Sequence, residues 1–388
     1  MIQDPVQPNL IVVGTEHGLW ISLDNGETFE QWKNGYPQVS TYDLAIQERE
    51  ADLAIGSFGR SIWILDDIRP LRQMAANSGK NFTKRLTAFP APDAYQITYK
   101  PAPGYEWSTY GLWDAPNRPR GAPVSYFIAP TKDTARAARV DSVQVRIYND
   151  KNELIRNLKW KADTGMNRQW WGMEEKGFRT PGSPRPRTNA PEPGGMQVLP
   201  GTYKVVLTLG KDADSTMVTV KDDPRIKKTQ DVVMAQRRMI ERLRNSTDKL
   251  TAAMDRLTEA EETLTKMQTQ LAGLEGKEID SLRKATTIMR DSIKSIREYI
   301  SGRTSDKQGI TRFDDITVMS TIRTAQQYIT GKTLAPGTQE EALVKNAEQL
   351  ITAAVARTNR FFATSWANYR KHVEGTRIGL FKDYKPID

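Results

Sequence analysis

Cysteine is absent from the 388 residues, which excludes disulfides, thiolate zinc sites and cysteine nucleophiles. Histidine occurs only at His17 and His372, which leaves little for metal binding or general base work. No apolar run approaches the roughly 18 residues needed to span a bilayer, so no membrane span is expected. The opening MIQDPVQPNLIVV lacks the basic region, apolar core and cleavage site of a secretory signal. That absence does not assign a cytoplasmic home, because the chain enters a strand pattern almost at once, as the continuation of something longer would. Nucleophile elbows, phosphate loops, dinucleotide fingerprints and calcium-loop spacings are also missing.

The composition is that of a folded protein, with 38% hydrophobic and 27% charged residues. A net charge of +9 raises the question of nucleic acid, but the basic residues are dispersed among 47 acids with no clustered patch or recognition motif. No nucleic-acid partner is expected.

Short strand patterns fill residues 1–67, punctuated by Gly14, Gly18, Gly26, Gly35, Gly56 and Gly59. One stretch specifies a particular corner: Ser22, Asp24, Gly26, Thr28 and Phe29 spell S-x-D-x-G-x-T-F, the Asp box. In it a carboxylate and hydroxyls satisfy the backbone donors of a turn, glycine takes an unusual φ, and the aromatic is expected to pack under the next strand. It is a folding device, with Asp24 belonging to the turn. The segment amounts to one β-propeller blade and most of a second, which cannot close a propeller and leaves open sheet edges.

Together with GTEHGLWIS and GSFGRSIWILDDI, the Asp box resembles the last blades of bacterial BNR-repeat proteins with sortilin-like, xyloglucanase-related propellers. Those proteins are often labelled glycosyl hydrolases. The resemblance implies a non-catalytic binding or assembly portion, for protein or glycan, of an exported propeller protein. Its catalytic acids would sit on blades this chain lacks, so no position here inherits them. Where the family commonly has His-Gly-Arg, this sequence has Phe58-Gly59-Arg60. Two alternatives remain open: an accessory C-terminal part of a glycoside hydrolase, and one half of a split propeller completed by a separate polypeptide. Asp-Ser/Thr-apolar triplets such as Asp280-Ser281-Leu282 match the O-glycosylation signal of exported Bacteroidetes proteins, which favours a periplasmic, outer-membrane-associated or secreted location.

Residues 68–123 read as a connector rich in proline, arginine and aromatics. Tyr105, Trp107, Tyr110 and Trp113 are crowded there, either as a sugar-stacking platform or, the reading favoured by aromatics at a domain junction, as cover for a seam. Residues 124–223 return to β patterning, as in an immunoglobulin-like sandwich, and TGMNRQWWGM with VLPGTYKVVL resembles the Ig-like module of hook-capping proteins. Trp170 or Trp171 is then a core residue. Phe178 to Gly195 is expected as a solvated irregular loop, where Arg179, Arg185 and Arg187 could grip an anion.

From residue 224 to 388 helix formers dominate. Met239, Leu243, Ser246, Leu250, Ala253, Leu257, Ala260, Leu264, Met267, Leu271 and Leu274 form a heptad seam on a helix starting near Lys227. Ile279, Leu282, Thr286, Met289, Ile293, Ile296 and Ile300 repeat the spacing after Gly273 and Gly276, which predicts an antiparallel hairpin. Its first helix outreaches the second, so two more are expected to cover it. One carries Val318, Ile322, Ala325 and Ile329; the other carries Leu343, Ala347, Leu350, Ala354, Phe361 and Trp366 and opens on a capping box at Thr338-Gln339-Glu340-Glu341. The tail GLFKDYKPID has no helical period.

A glycosidase would need two carboxyl groups roughly 5 to 10 Å apart across a cleft. The adjacent pairs Asp66-Asp67, Asp222-Asp223 and Asp314-Asp315 fit a strand end, a linker and a helix start instead. No catalytic, cofactor-binding or metal-binding residue is assigned.

Overall fold

The computed structural model describes residues 1–79, 84–97, 118–130, 142–186, 192–226, 229–303 and 316–377. It is a mixed β and α protein in two compact units, residues 1–177 with 188–226 and residues 178–187 with 227–388.

In the first unit, β1 (Ile2–Gln3), β2 (Ile11–Thr15), β3 (Gly18–Ser22) and β4 (Glu30–Trp32) form an antiparallel sheet in sequence order. The strands β5 (Thr41–Gln47), β6 (Asp52–Ser57) and β7 (Ile62–Leu65) form a second antiparallel meander. Leu10, Val12, Leu19 and Ile21 from the first sheet share one core with Leu53 and Ile55 from the second. Helix α1 (Arg69–Ala76) closes that core with Leu71 and Ala75. At Gly14 the two sheets come so close that a Cβ would stand 2.6 Å from Thr41 Cγ2 and 2.8 Å from the Thr41 carbonyl oxygen. Only glycine permits that approach. The Asp4 carboxylate is buried, accepts from the Val6 and Gln7 N–H groups, and pairs with Arg72 of α1 at 2.8 Å, which ties the first turn to the helix.

The remainder of the unit holds two more sheets. Their strands are β8 (Leu86–Ala88), β9 (Ala94–Tyr95), β10 (Ala122–Ile128), β11 (Ser142–Tyr148), β12 (Leu154–Lys161), β13 (Gly165–Trp171), β14 (Glu174–Lys176), β15 (Gly194–Gln197), β16 (Gly201–Leu209) and β17 (Asp212–Lys221). One sheet runs β13-β10-β8 and the other β12-β11-β16-β17-β9, with β14-β15 a separate ribbon. Strand β9 runs parallel to β17, and the other pairings are antiparallel. Val124 and Tyr126 of the first sheet and Val143, Val145, Val205, Leu207 and Val218 of the second fall in one core. The stretch read as a connector thus contributes α1 and the strands β8 and β9. Of the adjacent pair, Trp171 is the one that joins Trp160 in this core, edge-on to Tyr203 at 5.2 Å and donating its indole N–H to the Glu174 carbonyl at 2.9 Å. Burial pushes the Tyr126 phenol above its ordinary range, and it donates to the Lys161 carbonyl at 2.6 Å. The buried Arg156 pins the ribbon by donating to the Glu192 carbonyl and the Glu174 carboxylate.

In the second unit, α2 (Gln230–Leu271) is followed by α3 (Lys277–Ser301), α4 (Val318–Thr330), α5 (Thr338–Phe361), a π-helical turn (Phe362–Trp366) and α6 (Ala367–Gly375). At 1.5 Å per residue α2 is roughly 63 Å long. All seven expected seam residues of α3 are buried, as are Val318, Ile322, Ala325 and Ile329 of α4. Two registers differ from the sequence reading. Between Met239 and Leu257 of α2, Ile240, Thr247, Thr251 and Met254 are buried beside Leu243, Leu250 and Leu257, while Met239 and Ser246 are only half-buried. In α5, Val344 and Ile351 replace Leu343 and Leu350 at the centre of the stripe. The cause is shared: α2 and α5 pack on each other and each also meets α4, so their buried stripes are wider than a two-helix seam. The cap of α5 also shifts, since Gly337 is the N-cap and its N–H donates to Glu340 Oε2 at 2.7 Å. Glu340 is fully buried and paired with Lys332.

In the loop after Phe178, Thr180, Gly182 and Pro184 to Pro186 are exposed as expected, but two of its arginines are engaged. Arg179 and Arg185 both bind Asp255 of α2, and the Thr251 hydroxyl donates to the Arg179 carbonyl. Burial raises the Asp255 pKa, yet Arg179 and Arg185 outweigh it and hold the carboxyl below the ordinary range. These arginines are staples, while Arg187 lies outside the described residues.

Candidate functional site

The Asp box closes through local hydrogen bonds. Asp24 Oδ2 accepts from the Thr28 hydroxyl at 2.6 Å, and Oδ1 accepts from the Thr28 N–H at 2.9 Å and the Ser22 hydroxyl at 2.7 Å. Ser22 Oγ in turn accepts from the Gly26 N–H at 2.8 Å. Asn25 and Gly26 carry φ values of 60° and 90°, the left-handed region in which glycine is at home. The Thr28 hydroxyl and N–H, with the Ser22 hydroxyl, lower the Asp24 carboxyl to about 2. Three hydrogen bonds thus turn this carboxylate toward the corner.

Phe29 does not pack under the next strand. It is 40% exposed and joins Val13, Thr15, His17 and Trp20 around an open hollow of about 360 Å³. The reason lies in the pleat. In β2 and β3 the alternate residues Val12, Leu19 and Ile21 fill the core, so Ile11, Val13 and Trp20 turn to the other face.

The second sheet behaves in the same way. Ile55 and Leu53 point inward, whereas the outer rows are Asp43, Gly56 and Ile62, then Ala45, Ala54 and Ile64. Ile62 is 65% exposed and Ile64 57%. Tyr42 and Phe58 lie exposed beside one another with ring centroids 5.6 Å apart. Both sheets of this pair are therefore apolar on two faces, and one face of each is open. The sequence carried a signal for it: Ile62-Trp63-Ile64-Leu65 is a continuous apolar run, the pattern of a strand covered on both sides rather than one.

The other sequence candidates do not converge. Asp66 pairs with Arg118, Asp67 with Arg69 and Asp223 with Arg225. His17 sits in the exposed turn between β2 and β3, and His372 is exposed on α6. Tyr105, Trp107, Tyr110 and Trp113 lie outside the described residues, as do Asp314 and Asp315. Among the described residues no group of three or more His, Asp or Glu could hold a metal ion, and no helix is long and apolar enough to cross a membrane.

Compared with known proteins, the chain matches no family model and no curated sequence. Its function is read from the surfaces themselves.

Proposed function

We propose that this chain is a non-catalytic binding and assembly portion of an exported β-propeller protein related to the BNR-repeat, sortilin-like group. In this reading the sheets β1–β4 and β5–β7 are neighbouring blades, β8–β17 form an immunoglobulin-like module, and the α2–α3 hairpin is a spacer or docking arm. The open faces receive further blades, supplied by the same polypeptide or by a separate one.

One observation carries the proposal: the outer faces of the two blade-like sheets present Ile11, Val13, Trp20 and Phe29 on one side and Ala45, Ala54, Ile62 and Ile64 on the other. Contiguous apolar patches of this kind mark interaction surfaces. In a propeller each blade is covered on both faces by its neighbours, and the strands then lack polar alternation. The Asp box supports the same reading as a corner device that leaves its aromatic ring on the open side.

Hydroxyl-radical footprinting tests the reading by comparing the isolated chain with the assembly recovered from its native cells. Protection of Trp20, Phe29, Tyr42, Phe58, Ile62 and Ile64 in the assembly is expected. Equal labelling of these residues in both samples would overturn it.

A further inference from the structure

A second feature of the first unit is independent of the open faces and shares no residue with them. Between the ends of β6 and β7, strand β9 and the start of β10 lies a cleft of about 350 Å³, within the roughly 300–1,000 Å³ range of small-molecule sites. Five arginines and five carboxylates line it, so its formal charges cancel. Tyr95 of β9 and Trp170 of β13 add two half-buried rings. Trp170 is turned away from the core that its neighbour Trp171 fills, and its indole N–H is buried without an acceptor among the described protein atoms.

The charged side chains are held in place by one another. Arg118 donates to Asp52 Oδ2 at 2.6 Å and to Asp66 Oδ1 at 2.8 Å. Arg168 donates to Ser125 Oγ at 2.9 Å and to the carbonyl oxygens of Asp66 and Asp67. Burial lowers the Arg168 pKa, with Asp67 and Asp66 opposing the shift. Arg69 is occupied by Asp67 and by the carbonyls of Glu50 and Arg49.

This arrangement restricts the ligand. An anion would find these guanidinium groups already neutralised, and a further unbalanced charge is expensive in a partly buried site. An apolar ligand would strip water from carboxylates and guanidinium groups without replacing its hydrogen bonds. A neutral ring bearing several hydroxyls meets both demands. Its hydroxyls bond to planar, pre-oriented Asp and Arg groups, which retain spare lone pairs and N–H donors, and its C–H faces lie on the aromatic rings.

We propose that the cleft lined by Asp52, Asp66, Arg118, Arg168, Tyr95 and Trp170 binds a neutral saccharide unit. Saturation-transfer NMR on the full chain tests this, with cellobiose, maltose and lactose as neutral probes and glucuronate and inorganic phosphate as charged ones. Transfer to the ring C–H protons of at least one neutral disaccharide is expected, with an affinity insensitive to salt. Tyr95→Val should weaken it roughly fivefold. Asp66→Asn, at a partly exposed position and with folding checked by circular dichroism, should weaken it about threefold. The proposal is overturned by absence of transfer from all three disaccharides. It is equally overturned by affinity unchanged in both variants, or by preferential, salt-sensitive binding of glucuronate or phosphate.

Discussion

The two pairs of sheets in the first unit solve the same packing problem with opposite outer faces. In the β8–β17 pair the central strands largely alternate: Val143, Val145, Val205, Leu207 and Val218 point inward, while Gln144, Arg146, Lys204 and Ser215 point to solvent, with Leu154, Met166 and Met217 as scattered exposed apolar exceptions. In the β1–β7 pair the inner faces are equally apolar, but Ile11, Val13, Trp20, Ala45, Ala54, Ile62 and Ile64 occupy the outer ones. A sheet facing water on one side gains by placing polar groups there, because an exposed apolar side chain gives up its burial free energy. On the proposed reading, two sheets of one chain differ in this way because their natural neighbours differ. Polar outer faces suit water, and apolar ones suit another sheet.

Charge placed on the two kinds of face should separate them most sharply. Val205→Lys buries an unpaired ammonium in the closed core and should cost about 4 kcal/mol or more, unfolding the β8–β17 region in a denaturant titration. A near-native midpoint would show that this core tolerates water. Gly14→Ala probes the approach between the two open sheets. The added Cβ must displace Thr41, and a loss of about 1–3 kcal/mol is expected in thermal melts. No loss would mean that β2 and β5 are free to separate.

Ile64→Lys carries the same chemical change as the first variant but on an open face. It should alter the stability of the isolated chain by no more than about 0.5 kcal/mol while abolishing recovery of the native assembly. Strong destabilisation of the isolated chain would make Ile64 a core residue and erase the comparison.

The smallest effect belongs to the Asp box. Because its folded carboxyl titrates at about 2, below the ordinary value of ~3.9, Asp24 stabilises the corner fully above about pH 4. That contribution fades as pH falls through about 2. Asp24→Asn should flatten this part of the acid limb in melts recorded across the window, and an acid limb identical to that of the unaltered chain would refute the linkage.

Legibility followed the range of the interactions. The α3 seam was readable residue by residue, and the α4 stripe apart from Thr321, because their buried residues keep to a helical period of 3.6. In α2 and α5, which share the most extensive helix–helix packing of the unit, the same period located the helices but missed Ile240, Met254, Val344 and Ile351, since tighter coverage widens the buried stripe. The assignment of Trp171 over Trp170 to the core was not readable, as adjacent residues on a strand face opposite ways and only the register with β10 chooses between them. Neither the placing of Asp255 beside Arg179 and Arg185 nor the meeting of Arg118 with Asp52 and Asp66 had any signal in spacing, for these pairs lie 52 or more residues apart.

By itself, then, the sequence determined what hydrogen bonds and side-chain periods settle within a few residues. That covers the Ser22–Asp24–Thr28 corner, the long amphipathic helices, the two β-rich stretches and the absence of cysteine chemistry. Only the tertiary structure decided which face of each strand is covered. Phe29 is left on the open side because Leu19 and Ile21 fill the core, and the charged cleft exists because strands distant in sequence bring their ends together. Periodicity is written locally, whereas coverage depends on what the fold brings alongside.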